Sequence, residues 1–503
     1  MLENYKKAFK AYDIRGAYGK NIDEHFSYIM GRAVWRQLSD ESRVTSVEKK
    51  LLIGCDVRLQ NSALISAFET WLKEVWFSNP ANWDSSAGIF YANFDASVDY
   101  PYGVCSTPVL YYLGQDDYDL WVAFTASHNP PGDVGMKFFD KDVTLLSTEM
   151  LRTLFEAEYK VQSTEYKEKN WTNPPSSPPL SRRGDLLDSK VQKLYDMLDA
   201  KWSSLQKRHH FVVDFSTGAS VSVEKKFFQD YLSKNHTIDL INDLPDWSFA
   251  SHYSDTQEHE NYEQLTHTLK EKGAEFGLMF DGDADRIGIV WLDWKVLWGD
   301  LLTAMIAKQI LLESLARLPR DARNDSKPIV LYETMSSKMV NEVVTGLGGE
   351  ARMVRVGRYF INQELKACGG VFAGESSGHY LFAELGGYEM PLLALYYICK
   401  EMEEYSNRAE FVGAYKKYFK SPVISSVVTD KEGALKKVQE KYPCQLAGRS
   451  DYDIKFVDGV SVYAPDFWFN LRPSNTEDKI KFTVEADTEE KMNEVAGELK
   501  SLL

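Results

Sequence analysis

Ser127 stands in the segment TASHNPPGDVGMKFF, Thr125 to Phe139, directly behind the apolar run LWVAF, Leu120–Phe124. A loop leaving the edge of a sheet is where α/β folds commonly build their sites. This one offers a hydroxyl at Ser127, a proton carrier at His128, two prolines that stiffen the loop and a cation at Lys137. A serine hydroxyl is a weak nucleophile and needs a nearby base or metal before it can act. By spacing alone the segment reads equally as a proline turn with an incidental serine.

The run FDGDADR, Phe280 to Arg286, places Asp281, Asp283 and Asp285 at alternate positions between two apolar segments. Three carboxylates at that spacing repel one another unless a cation neutralises them. Hard oxygen ligands point to Mg²⁺ or Ca²⁺. An EF-hand loop is excluded, because its sixth position needs Gly and its twelfth Glu, where Arg286 and Leu292 stand. An aspartyl nucleophile of the haloacid-dehalogenase type fits poorly, since Asp285 occupies the position where Thr or Val is wanted. The bland reading is a solvated acidic turn.

Two further loops carry polar groups at high density. GESSGHY, Gly374 to Tyr380, holds Glu375, Ser376, Ser377 and His379, a set suited to sugar hydroxyls, although a capped helix start looks the same. RPSNTE, Arg472 to Glu477, offers a planar bidentate donor at Arg472 and hydroxyl, amide and backbone donors at Ser474, Asn475 and Thr476. That set suits an anion nest, or an ordinary Asn-Thr turn. AYDIRG carries Arg15, and GCDVRLQN carries Asp56 and Arg58; each reads most simply as a surface ion-pair former.

The elements that must position these loops alternate. LLIG (Leu51–Gly54), LWVAF, FVVDF (Phe211–Phe215), FGLMF (Phe276–Phe280) and IGIVWL (Ile287–Leu292) have the character of buried strands. Asp300 to Leu315 reads as a strong amphipathic helix. Strands and helices then continue to alternate through PIVLYE, a helix from Ser337, ARMVRVG, a helix from Phe360 and GVFAGE. Such alternation predicts α/β domains of parallel units. After a helix over Glu432–Lys441, the runs YDIKFVDGVSVYAP, WFNLRP and IKFTVEA and a final helix from Thr488 predict a small α+β domain with an antiparallel sheet. NPPSSPPLS, Asn173–Ser181, reads as a linker or surface loop. The expected domains are 1–180 with the serine loop, 181–297 with the acidic loop, 298–420 with the GESSGHY loop and 421–503 with the RPSNTE loop.

With 503 residues, 44% of them hydrophobic, the chain is large enough for three or four cores and is too apolar for disorder. Its net charge of −16 gives no global field for nucleic acid or an anionic membrane, so an anionic ligand would need local cations. Five scattered cysteines without a CxxC pair make neither a disulfide framework nor a zinc site, and suit a reducing cytoplasm. The N-terminus has no signal-peptide pattern, and no apolar run approaches a membrane span.

Taken together and in this order, AYDIRG, GCDVRLQN, STPVLYY, TASHNPPGDVGMKFF, FDGDADR, GESSGHY and RPSNTE resemble the α-D-phosphohexomutases, in the phosphomannomutase/phosphoglucomutase branch. The resemblance implies four domains around a central cleft: three α/β mixed-sheet domains plus a C-terminal α+β domain. It implies an isomerase-class intramolecular phosphotransferase of carbohydrate metabolism. Such an enzyme interconverts the 1- and 6-phosphates of mannose, glucose or both, through phosphoserine and a sugar 1,6-bisphosphate. Carried over by motif, Ser127 would be the phosphorylated serine, with Asp281, Asp283 and Asp285 holding Mg²⁺ together with an oxygen of that phosphate. Arg286 would lie beside the metal loop. Lys137, Arg15 and His128 would serve proton transfer and charge stabilisation. Glu375 and Ser377 would bind sugar hydroxyls with His379 near the ligand, and Arg472, Ser474, Asn475 and Thr476 would hold the phosphate that is not reacting. Glucose 1,6-bisphosphate or mannose 1,6-bisphosphate would act as activator. The partner would be a small-molecule sugar phosphate, with no nucleic acid and no membrane, and the chain would be a monomer or homodimer.

There are departures from the family pattern. Gly357-Arg358 stands where much of the family has Gly-His, Gly386-Gly387 where many have Asp-Gly, and DTQEHENYEQL where an Asn-Pro-rich segment is expected; Asn79–Tyr102 reads as an insertion. Competing readings are a phosphoglucosamine mutase, a non-catalytic regulatory relative and a Mg²⁺ phosphatase. The retained Ser127, Lys137 and aspartate triplet weigh against a protein that only binds.

Overall fold

The computed structural model describes all residues except 12, 42–49, 77–87, 93, 95–99, 101, 116, 143, 163–184, 292–294, 318–326, 406–407, 443–451 and 475–477. The Asn173–Ser181 linker lies outside the described residues, as do Asn475 and Thr476. The chain divides into two compact units, residues 1–296 with 388–393, and residues 297–387 with 394–503. Among the described residues no helix is long and apolar enough to cross a membrane.

The first unit holds two sheets. In one, Ile14–Ala17, Asp133–Asp140, Leu120–Phe124, Lys50–Cys55 and Gly88–Tyr91 lie side by side in that order. Lys50–Cys55 runs parallel to both its neighbours, whereas Asp133–Asp140 is antiparallel to Leu120–Phe124 and Ile14–Ala17. The sheet is therefore mixed, with a parallel centre and an antiparallel edge. The Leu120–Phe124 strand is buried along its whole length, as its uninterrupted apolar run requires. Gly88–Tyr91 comes from the segment read as an insertion, so part of that segment is a working edge strand. Phe26, Phe68, Phe124, Phe138 and Phe155 fill the core beneath, each at most 1% exposed. Burial of that kind contributes about 1.5–3 kcal/mol per side chain.

The second sheet of this unit contains Ile287–Trp291, Phe276–Phe280, His210–Asp214 and Thr237–Ile241 in that order. His210–Asp214 is parallel to Phe276–Phe280 and Thr237–Ile241, and Phe276–Phe280 turns back antiparallel into Ile287–Trp291. That hairpin connection is the FDGDADR loop.

The second unit also holds two sheets. Ile329–Glu333 runs parallel to Glu350–Val354 and to Phe372–Gly374, which pairs antiparallel with Tyr380–Phe382. The helix Gly299–Arg317 beside them is buried on most sides from Asp300 to Leu311, rather than divided into a wet and a dry face as its sequence predicts. The helix expected from Phe360 begins at Arg358, after Gly357 at a φ of 121°. The C-terminal sheet is antiparallel. Asp453–Lys455, Val460–Tyr463, Phe467–Pro473 and Lys479–Ala486 follow one another, and Lys479–Ala486 also pairs with Phe419–Lys420 and Ile424–Val427. Thr488 caps the last helix, Glu489–Leu502, by accepting from Lys491 N–H at 3.2 Å.

Candidate active site

Ser127 follows a buried strand by three residues and is itself 1% exposed. Its φ is 52°, in the left-handed region that costs a non-glycine residue about 1 kcal/mol or more. The surroundings hold it there. Ser127 N–H donates to Thr125 Oγ1 at 2.8 Å. The guanidinium of Arg58 donates to the carbonyls of Ser127 (2.9 Å), Asn129 (2.7 Å) and Pro130 (2.8 Å), and pairs with Asp56 at 3.2 Å. Asp56 and Arg58 are 2% and 1% exposed, so they form a buried clamp on the serine loop and not the surface pair their sequence suggested.

The acidic loop meets this one face to face. Asp281, Asp283 and Asp285 are 0%, 1% and 1% exposed, and one oxygen from each lies within 4.8 Å of the others. Alternation alone does not bring them together. Ala284, at φ 59°, turns the loop, its N–H donating to Asp281 O at 3.1 Å, while Arg286 N–H donates to Asp281 Oδ1 at 3.0 Å. Ser127 Oγ donates to Asp281 Oδ2 at 2.9 Å and lies 3.2 Å from His128 Nδ1. The two loops are in backbone contact: a Cβ added at Gly282 would sit 2.5 Å from Ser127 O. Only glycine permits that approach.

Lys137, on the antiparallel strand beside Leu120–Phe124, donates to Asp283 and, at 2.9 Å, to Asp285. Arg286 Nε is 3.8 Å from Asp281 and 3.9 Å from Asp285. Thr107 adds a hydroxyl at 2.6 Å to Asp283 Oδ2 and its N–H at 2.9 Å to Asp283 O. Thr107 opens the helix Thr107–Gly114, which Ser106 caps. Its role was hidden in STPVLYY, which reads locally as nothing more than a helix start. Two cations thus face three carboxylates. Burial, then Asp285 and Asp283, push the Asp281 carboxyl well up. Burial and Asp285 push up on Asp283 too, but Lys137 together with the Thr107 hydroxyl holds that carboxyl below the usual range. Asp283 Oδ1 is buried without a hydrogen-bond partner. An all-oxygen donor set that is short of positive charge and retains an unused carboxylate oxygen fits Mg²⁺.

Arg15 reaches the same loop from the neighbouring strand, Nη1 donating to Asn129 Oδ1 at 2.7 Å. His128 Nε2 is 4.0 Å from Asp255, the first residue of the segment that replaces the expected Asn-Pro-rich run. The first unit therefore gathers Ser127, His128, Lys137, Arg15, Arg286 and the triplet.

In the second unit, Glu375 is 4% exposed. Its Oε1 accepts from Gly357 N–H at 2.9 Å and its Oε2 from Ser377 Oγ at 3.3 Å. His379 O accepts from Glu375 N–H at 3.0 Å, closing the loop. Arg472 Nε lies 3.4 Å from Met335 Sδ, and Nη1 lies 3.8 Å from Asp458. Ser474 N–H donates to Lys479 O at 2.8 Å, and Lys431 donates to Ser474 O at 3.2 Å.

All four domains of the phosphoglucomutase/phosphomannomutase family match in order. They are alpha/beta/alpha domain I over residues 77–164, domain II over 191–293, domain III over 298–415 and the C-terminal domain over 424–502. The chain is 35% identical over 497 residues to the phosphomannomutase of Methanocaldococcus jannaschii, covering 98% of this chain and 97% of that one. It is 26% identical to the phosphomannomutase/phosphoglucomutase of Pseudomonas putida, covering 98% and 95%. A crystal structure of a phosphoglucomutase/phosphomannomutase family protein from Burkholderia thailandensis superposes with a TM-score of 0.77 at 20% identity, covering 99% and 97%. The chain belongs to the phosphoglucomutase/phosphomannomutase family. It is an enzyme of the hexose phosphate mutase class, an isomerase with three α/β domains and a C-terminal sheet domain.

Proposed function

We propose that this chain interconverts hexose 1-phosphate and hexose 6-phosphate, of mannose, glucose or both, with Ser127 as the phosphate carrier. The observation that supports this most is the 2.9 Å approach of Ser127 Oγ to Asp281 within a buried, cation-poor carboxylate triplet. Phosphoryl transfer asks a protein for in-line positioning and for cancellation of charge on the moving group. Asp281, Asp283 and Asp285 would hold Mg²⁺, which when bound supplies much of that cancellation. Lys137 and Arg286 supply the rest from the protein side, and Arg58 fixes the loop so that the Ser127 oxygen is presented in one direction.

Ser127, phosphorylated at the outset, gives its phosphate to the free end of a sugar monophosphate. The resulting 1,6-bisphosphate turns end over end and returns its other phosphate to Ser127. His128, at 3.2 Å, is placed to take or return the serine proton, and Lys137 and Arg15 stabilise charge around it. Glu375 and Ser377 hold sugar hydroxyls with His379 near the ring. Arg472 and Ser474, with Asn475 and Thr476, hold the idle phosphate. Substrate is a free small molecule in the cytoplasm, and the working form is a monomer or a homodimer.

The test is a coupled assay on glucose 1-phosphate, mannose 1-phosphate and glucosamine 1-phosphate, with and without glucose 1,6-bisphosphate and Mg²⁺. Bisphosphate- and Mg²⁺-dependent turnover of glucose or mannose phosphate without release of inorganic phosphate is expected. Turnover of the glucosamine phosphate alone, or stoichiometric phosphate release, would replace this reading by the glucosamine mutase or the phosphatase.

A further inference from the structure

Glu333 ends the strand Ile329–Glu333, whose Tyr332 is in register with Gly374. Glu333 and Glu375 therefore leave the same sheet edge side by side. Glu333 is 1% exposed, and the donors on its carboxylate are all neutral. It accepts from Ser376 Oγ at 2.6 Å and Ser376 N–H at 3.3 Å, from the N–H of Met335, and from Ser336 Oγ at 3.4 Å. A buried carboxylate whose hydrogen bonds all come from neutral donors, with Lys420 acting on it only through space, is a costly way to brace a turn. What it braces gives the reason. Ser376 lies inside GESSGHY, and its other side is closed by Gly299, where an added Cβ would come within 2.4 Å of Ser376 O. Pinned from both sides, Ser376 fixes the backbone from which Glu375 and Ser377 project. The second arm of the same carboxylate holds Met335, whose Sδ receives Arg472 Nε at 3.4 Å.

We propose that Glu333, which the mutase mechanism does not otherwise use, is a positioning residue that sets the GESSGHY loop and Arg472 relative to each other. The sugar-hydroxyl and idle-phosphate contacts then act as one binding unit. This rests on the mutase reading of those two loops. Ser376 becomes a structural member of GESSGHY, distinct from Glu375 and Ser377, and Met335 becomes the spacer between a carboxylate and a guanidinium.

The test uses the full chain as wild type, Glu333→Ala, Glu333→Gln, Ser376→Ala and the Glu333→Ala/Ser376→Ala double variant. Binding of glucose 6-phosphate and of mannose 6-phosphate is followed by calorimetry and turnover by the coupled assay. Glu333→Ala is expected to raise both Kd and KM by about tenfold or more with kcat within a few-fold, the pattern of lost uniform binding. Glu333→Gln, which keeps one acceptor oxygen, restores part of the affinity. Ser376→Ala shifts KM the same way by less, and the double variant matches Glu333→Ala because both changes remove one shared contact. An unchanged Kd in a less heat-stable Glu333→Ala, or strictly additive effects in the double variant, would overturn the proposal. If Glu333→Ala does not fold, Ser376→Ala alone decides it. A wild type that binds glucose 6-phosphate or mannose 6-phosphate without turning any hexose phosphate over sinks the mutase reading, while calorimetry still judges Glu333. A wild type that binds neither sinks both.

Discussion

Ser127 and Asp281 are 154 residues apart in the chain and 2.9 Å apart in space, Oγ to Oδ2. Replacing Ser127 by Ala removes the proposed phosphate carrier and leaves Asp281 held by Arg286 N–H. We expect mutase activity to fall on the order of 10³-fold or more, with little change in melting temperature. Intact mass after incubation with glucose 1,6-bisphosphate should show an added phosphate on the wild type and none on Ser127→Ala. A phosphate retained by the variant would move the carrier elsewhere.

Arg58→Ala strips three carbonyls of the serine loop of their donor and leaves Asp56 buried. Burial already pushes the Asp56 carboxyl up against the pull of Arg58. The loss should cost about 3–5 kcal/mol of stability, as for other broken buried pairs. Arg58→Lys keeps the charge without the planar fork, so its kcat should fall further than its stability. Denaturant unfolding and kinetics on the same samples separate the two effects.

Gly282→Ala forces a methyl against Ser127 O, so the acidic loop or the serine loop must shift. A displacement near 1 Å in a transfer site costs about 10²-fold in rate. We therefore expect a large loss of kcat with KM for the hexose phosphate nearly unchanged, because Gly282 is remote in sequence from the loops assigned to the sugar. A KM effect of equal size would contradict that separation.

Glu224 is buried, accepts from Ser106 Oγ, and burial pushes its carboxyl from 4.5 up to about 7. The folded chain then binds a proton that the unfolded chain has released between those values, so stability should fall as pH rises from 4.5 to 7. The span corresponds to about 3 kcal/mol. Glu224→Gln is neutral throughout and should flatten this part of the profile. Unfolding midpoints at pH 5, 6 and 7 check it, and parallel profiles for the two proteins would disprove it.

The serine loop and the acidic run could be picked out of the sequence because each follows an uninterrupted apolar strand and carries several functional groups within a few residues. The partners that hold them could not. Arg58 comes from the loop between a strand and a helix and Thr107 from a helix start, while Glu333, which holds the GESSGHY loop, ends a strand; each makes its key contact with a residue at least 43 positions away. Such contacts are set by strand register, which local patterning does not encode. The helix at Gly299–Arg317 misled for a related reason. Two of its polar positions, Asp300 and Gln309, are buried with partners: Asp300 with Ser337 N–H and Lys420, and Gln309 with Glu401. A polar residue in the sequence thus did not mark a wet face. The fold class was legible, since alternating strands and helices allow few other arrangements.

Ser127 occupies a backbone conformation that a β-branched side chain strongly resists. Threonine offers the same hydroxyl, but its extra methyl would have to be accommodated at a φ of 52°. Thr217, at φ 51°, shows that this chain can hold a β-branched residue in that region. The main chain therefore taxes a change of Ser127 to threonine before any question of reactivity arises, without forbidding it.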